Sequence, residues 1–188
     1  MEAYRSAILA IGKRDRPESI FEAPSISVKL SALHPRFETG QQERVLRELT
    51  PRLLELAQLA MANHMALTVD SEESERLMLL LDVFGGVIMD PSLKGWNGLG
   101  MALQTYQKRA PAVIDLLADL SVRSGQRIPL RLVKGAYWDT EIKHAQVEGF
   151  DGYPVFTRKA NTDVSYIACA RKVLSLRQAF YPQFATHN

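Results

Sequence analysis

The chain has 188 residues, enough for one domain with a sizeable core, and is 46% hydrophobic and 23% charged, values ordinary for a globular protein. Lys plus Arg number 23 against 21 Asp plus Glu, a formal net charge of +2, which gives no electrostatic case for nucleic acid. Cys169 alone excludes an intrachain disulfide, residues 7–11 lack a signal-peptide cleavage pattern, and no run reaches the roughly 18 apolar residues of a membrane span, so a cytoplasmic protein is expected.

Residues 1–24 read as a leading helix and a loop (RDRPES). Ile26 to Leu33 then alternates with period two, as a strand does. Gln41 to Asn63 follows as a helix, with Val45, Leu49, Leu53, Leu56 and Ala60 at helical spacing. Met65 to Asp70 is a second strand, and Glu72 to Phe84 a second helix stopped by Gly85-Gly86. Leu99 to Thr105 is a third strand. Ala112 to Ser124 is a third helix, with Pro111 suited to its first turn and Gly125 to its C-terminal cap. Pro129 to Lys134 is a fourth strand, Thr140 to Glu148 and Asp163 to Leu174 are helical, and Phe180 to Ala185 is a fifth strand.

Strict alternation of strand and helix implies a parallel sheet, which a doubly wound fold or a closed barrel satisfies equally. No strand leads into a Gly-rich dinucleotide turn, and polar residues gather at the strand C-terminal ends, where barrel enzymes keep their chemistry. The expectation is therefore an α/β fold of the (βα)8, TIM-like barrel type, spanning residues 25–188. Side chains alternate across a strand, so Lys29, Asp70, Gln104 and Arg131 fall on the faces that carry small or polar residues. Facing inward, they would meet at one mouth, where charges are costly unless they pair or bind a ligand.

Each of these residues has a plainer reading beside that one. Asp70 precedes Ser71-Glu72-Glu73 in a D-x-x-E capping arrangement. Lys29 suits a structural ion pair, and Gln104 and Arg131 taken singly suit structural hydrogen bonds. The acidic run Glu72, Glu73, Glu75 suits a solvated helix start. His34, His64, His144 and His187 are scattered without metal-ligand spacing, so no metal is expected; His64 and His144 suit the surface. No G-x-S-x-G or Walker-type loop is present.

At SVKLSALHPR (27–36), TVDSEES (68–74), GLGMALQTYQKRAP (98–111), RLVKGAYWDTEIKHAQVEG (131–149), GYPVFTRKANTDVSY (152–166) and YPQFATHN (181–188), the chain resembles proline dehydrogenase. Its nearest likeness is the catalytic domain of bifunctional bacterial proline utilization proteins. The resemblance implies FAD at the strand C-terminal ends of a distorted barrel. By resemblance, Arg131 lies beside the flavin N5 edge and Gln104 by the pyrimidine side of the ring. Val133, Lys134, Gly135, Ala136 and Trp138 match the loop around the cofactor, and Tyr137 a residue near the substrate. Thr157, Arg158 and Lys159 match positions at the ribityl and phosphate portion. Thr186, His187 and Asn188 match a further segment touching FAD. Lys29 and Asp70 match the polar pair on the proline side, and Glu72 a nearby position. The implied chemistry is hydride transfer from the proline ring carbon next to nitrogen to flavin N5, giving Δ1-pyrroline-5-carboxylate, with electrons passed to a membrane quinone. Within the bifunctional family a parent can also carry an aldehyde dehydrogenase module, a DNA-binding module and contact with the inner membrane surface, and this segment of sequence leaves all three open.

A full barrel takes about 250 residues and eight strands. Five strands leave two sheet edges open, and the family's arginine pair for the proline carboxylate is not in this sequence. The expectation is a partial barrel with little proline oxidation of its own. The other readings are a non-catalytic fragment that self-associates, and a flavin-free lyase using Lys29 or Lys134 as a Schiff-base amine.

Overall fold

The structure, a computed structural model, describes residues 1–13 and 17–186. Helix α1 (Glu2–Ile11) precedes strand β1 (Ser25–Lys29), and then strands and helices alternate: α2 (Gln42–Ala62), β2 (Ala66–Asp70), α3 (Leu77–Ile88), β3 (Leu99–Gln104) and α4 (Ala110–Ser124). Strand β4 (Ile128–Val133) is followed by two helices, α5 (Trp138–Val147) and α6 (Lys159–Ser175), and then by β5 (Phe180–Phe184). The five strands form one parallel sheet in the order β1-β2-β3-β4-β5. A doubly wound sheet reverses its strand order partway, whereas a barrel adds each strand beside the last. The order seen is that of a (βα) barrel arc, which decides between the two folds.

The outward strand residues Val28, Leu67, Val69, Met101, Leu103, Leu130 and Leu132 are buried against Leu53 and Leu56 of α2, Leu80 and Phe84 of α3, and Ile114 and Leu117 of α4 in one continuous core. Burying each such side chain fully contributes about 1.5–3 kcal/mol. Gly125 caps α4 in the left-handed region at φ 67°, as its position predicts, and Pro111 lies in that helix's first turn.

Several boundaries differ from the sequence reading. Strand β1 ends at Lys29 rather than Leu33, because 30–32 tighten into a 3-10 turn that buries Leu30 and points the Ser31 N–H at Glu72 Oε1, 3.0 Å away. The second helix starts at Leu77, after a 3-10 turn over Ser74–Arg76, and not at Glu72. Asp70 does not cap it, since its carboxylate accepts from Arg131 instead. Gly85-Gly86 does not stop the helix either. A Cβ on Gly86 would lie 3.2 Å from Thr50 Cγ2 and one on Gly85 3.8 Å from Leu120, so the pair lets α3 approach its neighbours while continuing to Ile88. Helices α5 and α6 begin at Trp138 and Lys159, ahead of the expected Thr140 and Asp163.

Residues ahead of the barrel meet it at two places. The Lys29 N–H donates to the Tyr4 hydroxyl at 3.3 Å, so α1 occupies part of the β1 edge expected to stand open. At the strand N-terminal ends Phe21 stacks on Tyr181 with centroids 4.2 Å apart, and the Arg127 guanidinium lies 5.3 and 5.5 Å from the two rings.

Candidate active site

Strand register converts the alternation of residues into rows. Lys29 stands beside Asp70, and Ala102 beside Arg131, which stands beside Gln183. Continuing the β2–β3 register by one residue sets Asp70 beside Ala102 and joins both halves into one row across the sheet. The small Ala102 leaves Arg131 room to reach over it. The Arg131 guanidinium pairs with Asp70 and donates to Ser27 Oγ at 3.2 Å. Burial pushes the Asp70 carboxyl above its ordinary value and outweighs the opposing pull of Arg131 and Lys29. Lys29 Nζ donates to the Tyr137 hydroxyl at 3.4 Å, and that bond is the main cause holding the ammonium above its usual range, with Glu72 and Asp70 assisting. The row thus presents cation, anion and cation in sequence, and the cation left in excess favours an anionic or electron-accepting guest.

Gln104 sits one level higher, beside Val133, and is 2% exposed. Its Nε2 donates to the Glu72 carbonyl at 2.7 Å, and its Oε1 accepts from the Ala136 N–H at 2.9 Å. The amide therefore ties the loop after β2 to the loop after β4, while one N–H and one lone pair stay available. Glu72 itself is buried rather than solvated, contrary to the helix-start reading of the acidic run.

The loop after β4 wraps Tyr106. Gly135 lies at φ +151°, and a Cβ there would run into the Tyr106 ring. The Tyr106 N–H donates to the Lys134 carbonyl at 2.7 Å, and its hydroxyl accepts from the Tyr137 N–H at 3.3 Å. A pocket of about 270 Å³ opens beside this loop, lined by Tyr106, Lys134, Gly135, Trp138, Thr157 and Lys159 among others. Asp163 of α6 accepts from Lys134 at 2.6 Å and Lys159 at 2.9 Å, and the two ammoniums hold its carboxyl below the usual range. Trp138 Nε1 donates to the Phe156 carbonyl at 3.0 Å. Arg158 is exposed at the N-cap of α6. Lys134 and Lys159 leave one positive charge in excess over Asp163, and that charge with the α6 N-terminus at an aromatic-lined pocket is chemically suited to the phosphates and ring system of FAD.

The structure thus places two bonded pairs, Lys29–Tyr137 and Asp70–Arg131, side by side at the mouth, with Gln104 and Ala136 joined just above them. Thr186 is exposed beyond β5, and His187 and Asn188 lie outside the described residues. Among the described residues no group of acidic, His or Cys side chains could hold a metal ion. His34 is buried and bonds Glu48 at 3.1 Å, and half-buried His144 pairs with Glu75 at 3.2 Å, both away from the row.

Sequence reasoning missed four participants. Gln183 was legible, being on the same strand face as Tyr181 and two residues on. Tyr106 carried no local signal. Ser74 and Glu141 are buried together: Glu141 accepts the Ser74 N–H and Oγ–H, both at 2.5 Å. Nothing in the polar pattern of α5 marks Glu141 as an inward residue.

The family model for proline dehydrogenase matches residues 1–188. The Bifunctional protein PutA of Salmonella typhimurium is 55% identical over 188 residues, which is the whole of this chain and 14% of that protein. The mitochondrial Proline dehydrogenase 1 of Caenorhabditis elegans is 24% identical over 153 residues, 79% of this chain and 24% of the worm protein. Among solved structures, a mutant of Bradyrhizobium japonicum Proline Utilization A matches with a TM-score of 0.97 at 58% identity, covering 100% of this chain and 19% of that one. Bdellovibrio bacteriovorus Proline Utilization A inactivated by N-propargylglycine matches with a TM-score of 0.90 at 28% identity, covering 98% of this chain and 20% of that one.

Proposed function

The chain belongs to the proline dehydrogenase family, and on that premise we propose that the full-length protein oxidises L-proline to Δ1-pyrroline-5-carboxylate with FAD and passes the electrons to a quinone. The observation that carries the proposal is the row Lys29, Asp70, Arg131 beside a pocket suited to a dinucleotide. When bound, FAD supplies the acceptor for the hydride leaving the proline carbon next to nitrogen.

The chain's own residues divide the remaining work. Lys134 and Lys159 would hold the phosphates, with Thr157, Arg158 and the N-terminus of α6 beside them. Val133, Gly135, Ala136 and Trp138 would wall the ring system, and Gln104 keeps Ala136 in place through its Oε1. By the family resemblance Thr186, His187 and Asn188 are further candidates for contact with FAD. Arg131 places a fixed cation where negative charge develops, and Asp70 holds the guanidinium in orientation. Lys29 and Tyr137 border the proline side, and the ammonium supplies charge to a carboxylate.

The Schiff-base alternative needs a lysine that loses its proton readily. Lys29 is shifted the other way, and Lys134 is engaged with Asp163.

The PutA relatives are bifunctional by name and several times longer than this chain. An aldehyde dehydrogenase module, a DNA-binding module and contact with the inner membrane surface are accordingly assigned to other parts of the full-length protein. Among the described residues no helix is long and apolar enough to cross a membrane. The test is anaerobic addition of proline to the purified full-length protein. Bleaching of a flavin absorption band, restored by a quinone analogue, is the expected result; a protein without flavin, or one indifferent to proline, refutes the reading.

A further inference from the structure

Glu141 is a carboxylate in the first turn of α5 that is 3% exposed. Glutamate is almost never so buried unless paired, because desolvating the charge is costly. A helix that only had to pack would carry an apolar residue there. Its partners lie on two other loops. The Ser74 N–H and hydroxyl both donate to it at 2.5 Å. Arg109, after β3, donates its guanidinium to the Ser74 carbonyl, and the charge of Glu141 partly offsets the burial that lowers the arginine's affinity for its proton. Ser74 is therefore gripped at its N–H and hydroxyl by a side chain of α5 and at its carbonyl by one at the start of α4.

The same residue is bonded to Tyr137. The Glu141 N–H donates to the Tyr137 carbonyl at 2.9 Å, the first helical bond of α5, and the Tyr137 N–H donates to the Tyr106 hydroxyl at 3.3 Å. The Tyr137 backbone is thus fixed on both sides, and its hydroxyl accepts from Lys29. A continuous chain of bonds runs from Ser74 through Glu141 and Tyr137 to Lys29. We infer that Glu141 is a positioning residue: its anchored carboxylate locks the start of α5 against the β2 loop and so sets the Tyr137 hydroxyl against Lys29 on the proline side. The inference rests on the reading of the site as a proline oxidase, and it deepens that reading by naming what fixes the substrate-side tyrosine.

The test uses the full-length holoenzyme and steady-state kinetics with proline and a quinone analogue. Glu141→Gln keeps the volume but loses the charge that complements Arg109. The KM for proline should rise about tenfold with kcat within about threefold, the split expected when binding geometry rather than the chemical step is disturbed. Ser74→Ala, which removes the hydroxyl donor from the other side, should raise KM in the same direction. In a Tyr137→Phe background the Glu141→Gln substitution should change KM by less than about twofold, since the tyrosine hydroxyl through which it acts is gone. Ser121→Ala removes an equally buried serine bond, to the Gln126 carbonyl at the other end of the sheet, and should lower stability while leaving KM unchanged. An unchanged KM in Glu141→Gln, or an equal rise in the Tyr137→Phe background, overturns the inference and leaves the functional reading intact. A wild-type holoenzyme that does not oxidise proline overturns both.

Discussion

Replacing Gln104 by Leu keeps the side-chain volume close to that of the amide and removes both of its hydrogen bonds. The Glu72 carbonyl and the Ala136 N–H, bonded at 2.7 and 2.9 Å, then face a buried apolar group, because the position is 2% exposed. Each of the two stranded groups costs about 1–3 kcal/mol, and the more apolar side chain returns about 1 kcal/mol, which leaves a loss of about 1–5 kcal/mol. The assay is urea unfolding of the full-length protein followed by release of flavin fluorescence, since the loop that holds Ala136 is the proposed cofactor wall. Gln104→Glu sharpens the test. As a carboxylate it still accepts from Ala136 but repels the Glu72 carbonyl. Protonated, it donates to that carbonyl as the amide does. Its folded pKa should therefore lie above the unfolded value, so the variant should be near wild type in acid and lose stability as pH rises through that raised pKa. A loss below about 0.5 kcal/mol for Gln104→Leu, or a Gln104→Glu variant whose stability rises with pH, refutes the reasoning.

Three further outcomes follow from the site. Lys29 is held protonated above its ordinary range, so its contribution is complete below the usual lysine pKa and fades only as pH climbs through the raised one. The KM for proline should stay flat to high pH, and Tyr137→Phe should bring the alkaline rise to lower pH. Gly135→Ala places a methyl group at φ +151° against the Tyr106 ring, which should cost about 1–3 kcal/mol and weaken flavin retention measured by filtration. Asp163 titrates below the ordinary carboxylate range because Lys134 and Lys159 face it. Its bonds are complete above the unfolded aspartate pKa and are lost as pH falls through the lowered one, so Trp138 fluorescence should show an acid transition that Asp163→Asn removes.

Much of the fold was legible because a strand's two faces are written directly in its residues. The alternation at 26–29, 65–70, 99–104 and 129–134 placed Lys29, Asp70, Gln104 and Arg131 on one side, and the register brings three of them into one row. The failures occurred where tertiary bonds outbid local preference. Asp70-Ser71-Glu72-Glu73 carries a helix-capping pattern, but Arg131 takes the aspartate and Ser31 takes Glu72, so the helix waits until Leu77. Gly85-Gly86 reads as a stop, yet its missing side chains serve close helix packing. The Ser74–Glu141–Arg109 cluster was invisible because its members lie on three segments far apart in sequence, and nothing local announces that a glutamate in a polar helix points inward.

The account stands or falls on whether the row at the mouth acts on proline through a flavin. The most direct measurement is the rate of flavin bleaching in a rapid-mixing experiment, comparing wild type with Arg131→Met in the full-length protein. Loss of a preorganised charge at a reacting centre typically costs a factor of about 10²–10³. The account predicts a proline-dependent bleach in wild type, slowed by at least about a hundredfold in Arg131→Met with the flavin still bound. An equal rate in the two proteins, or a wild type whose flavin spectrum ignores proline, would contradict it.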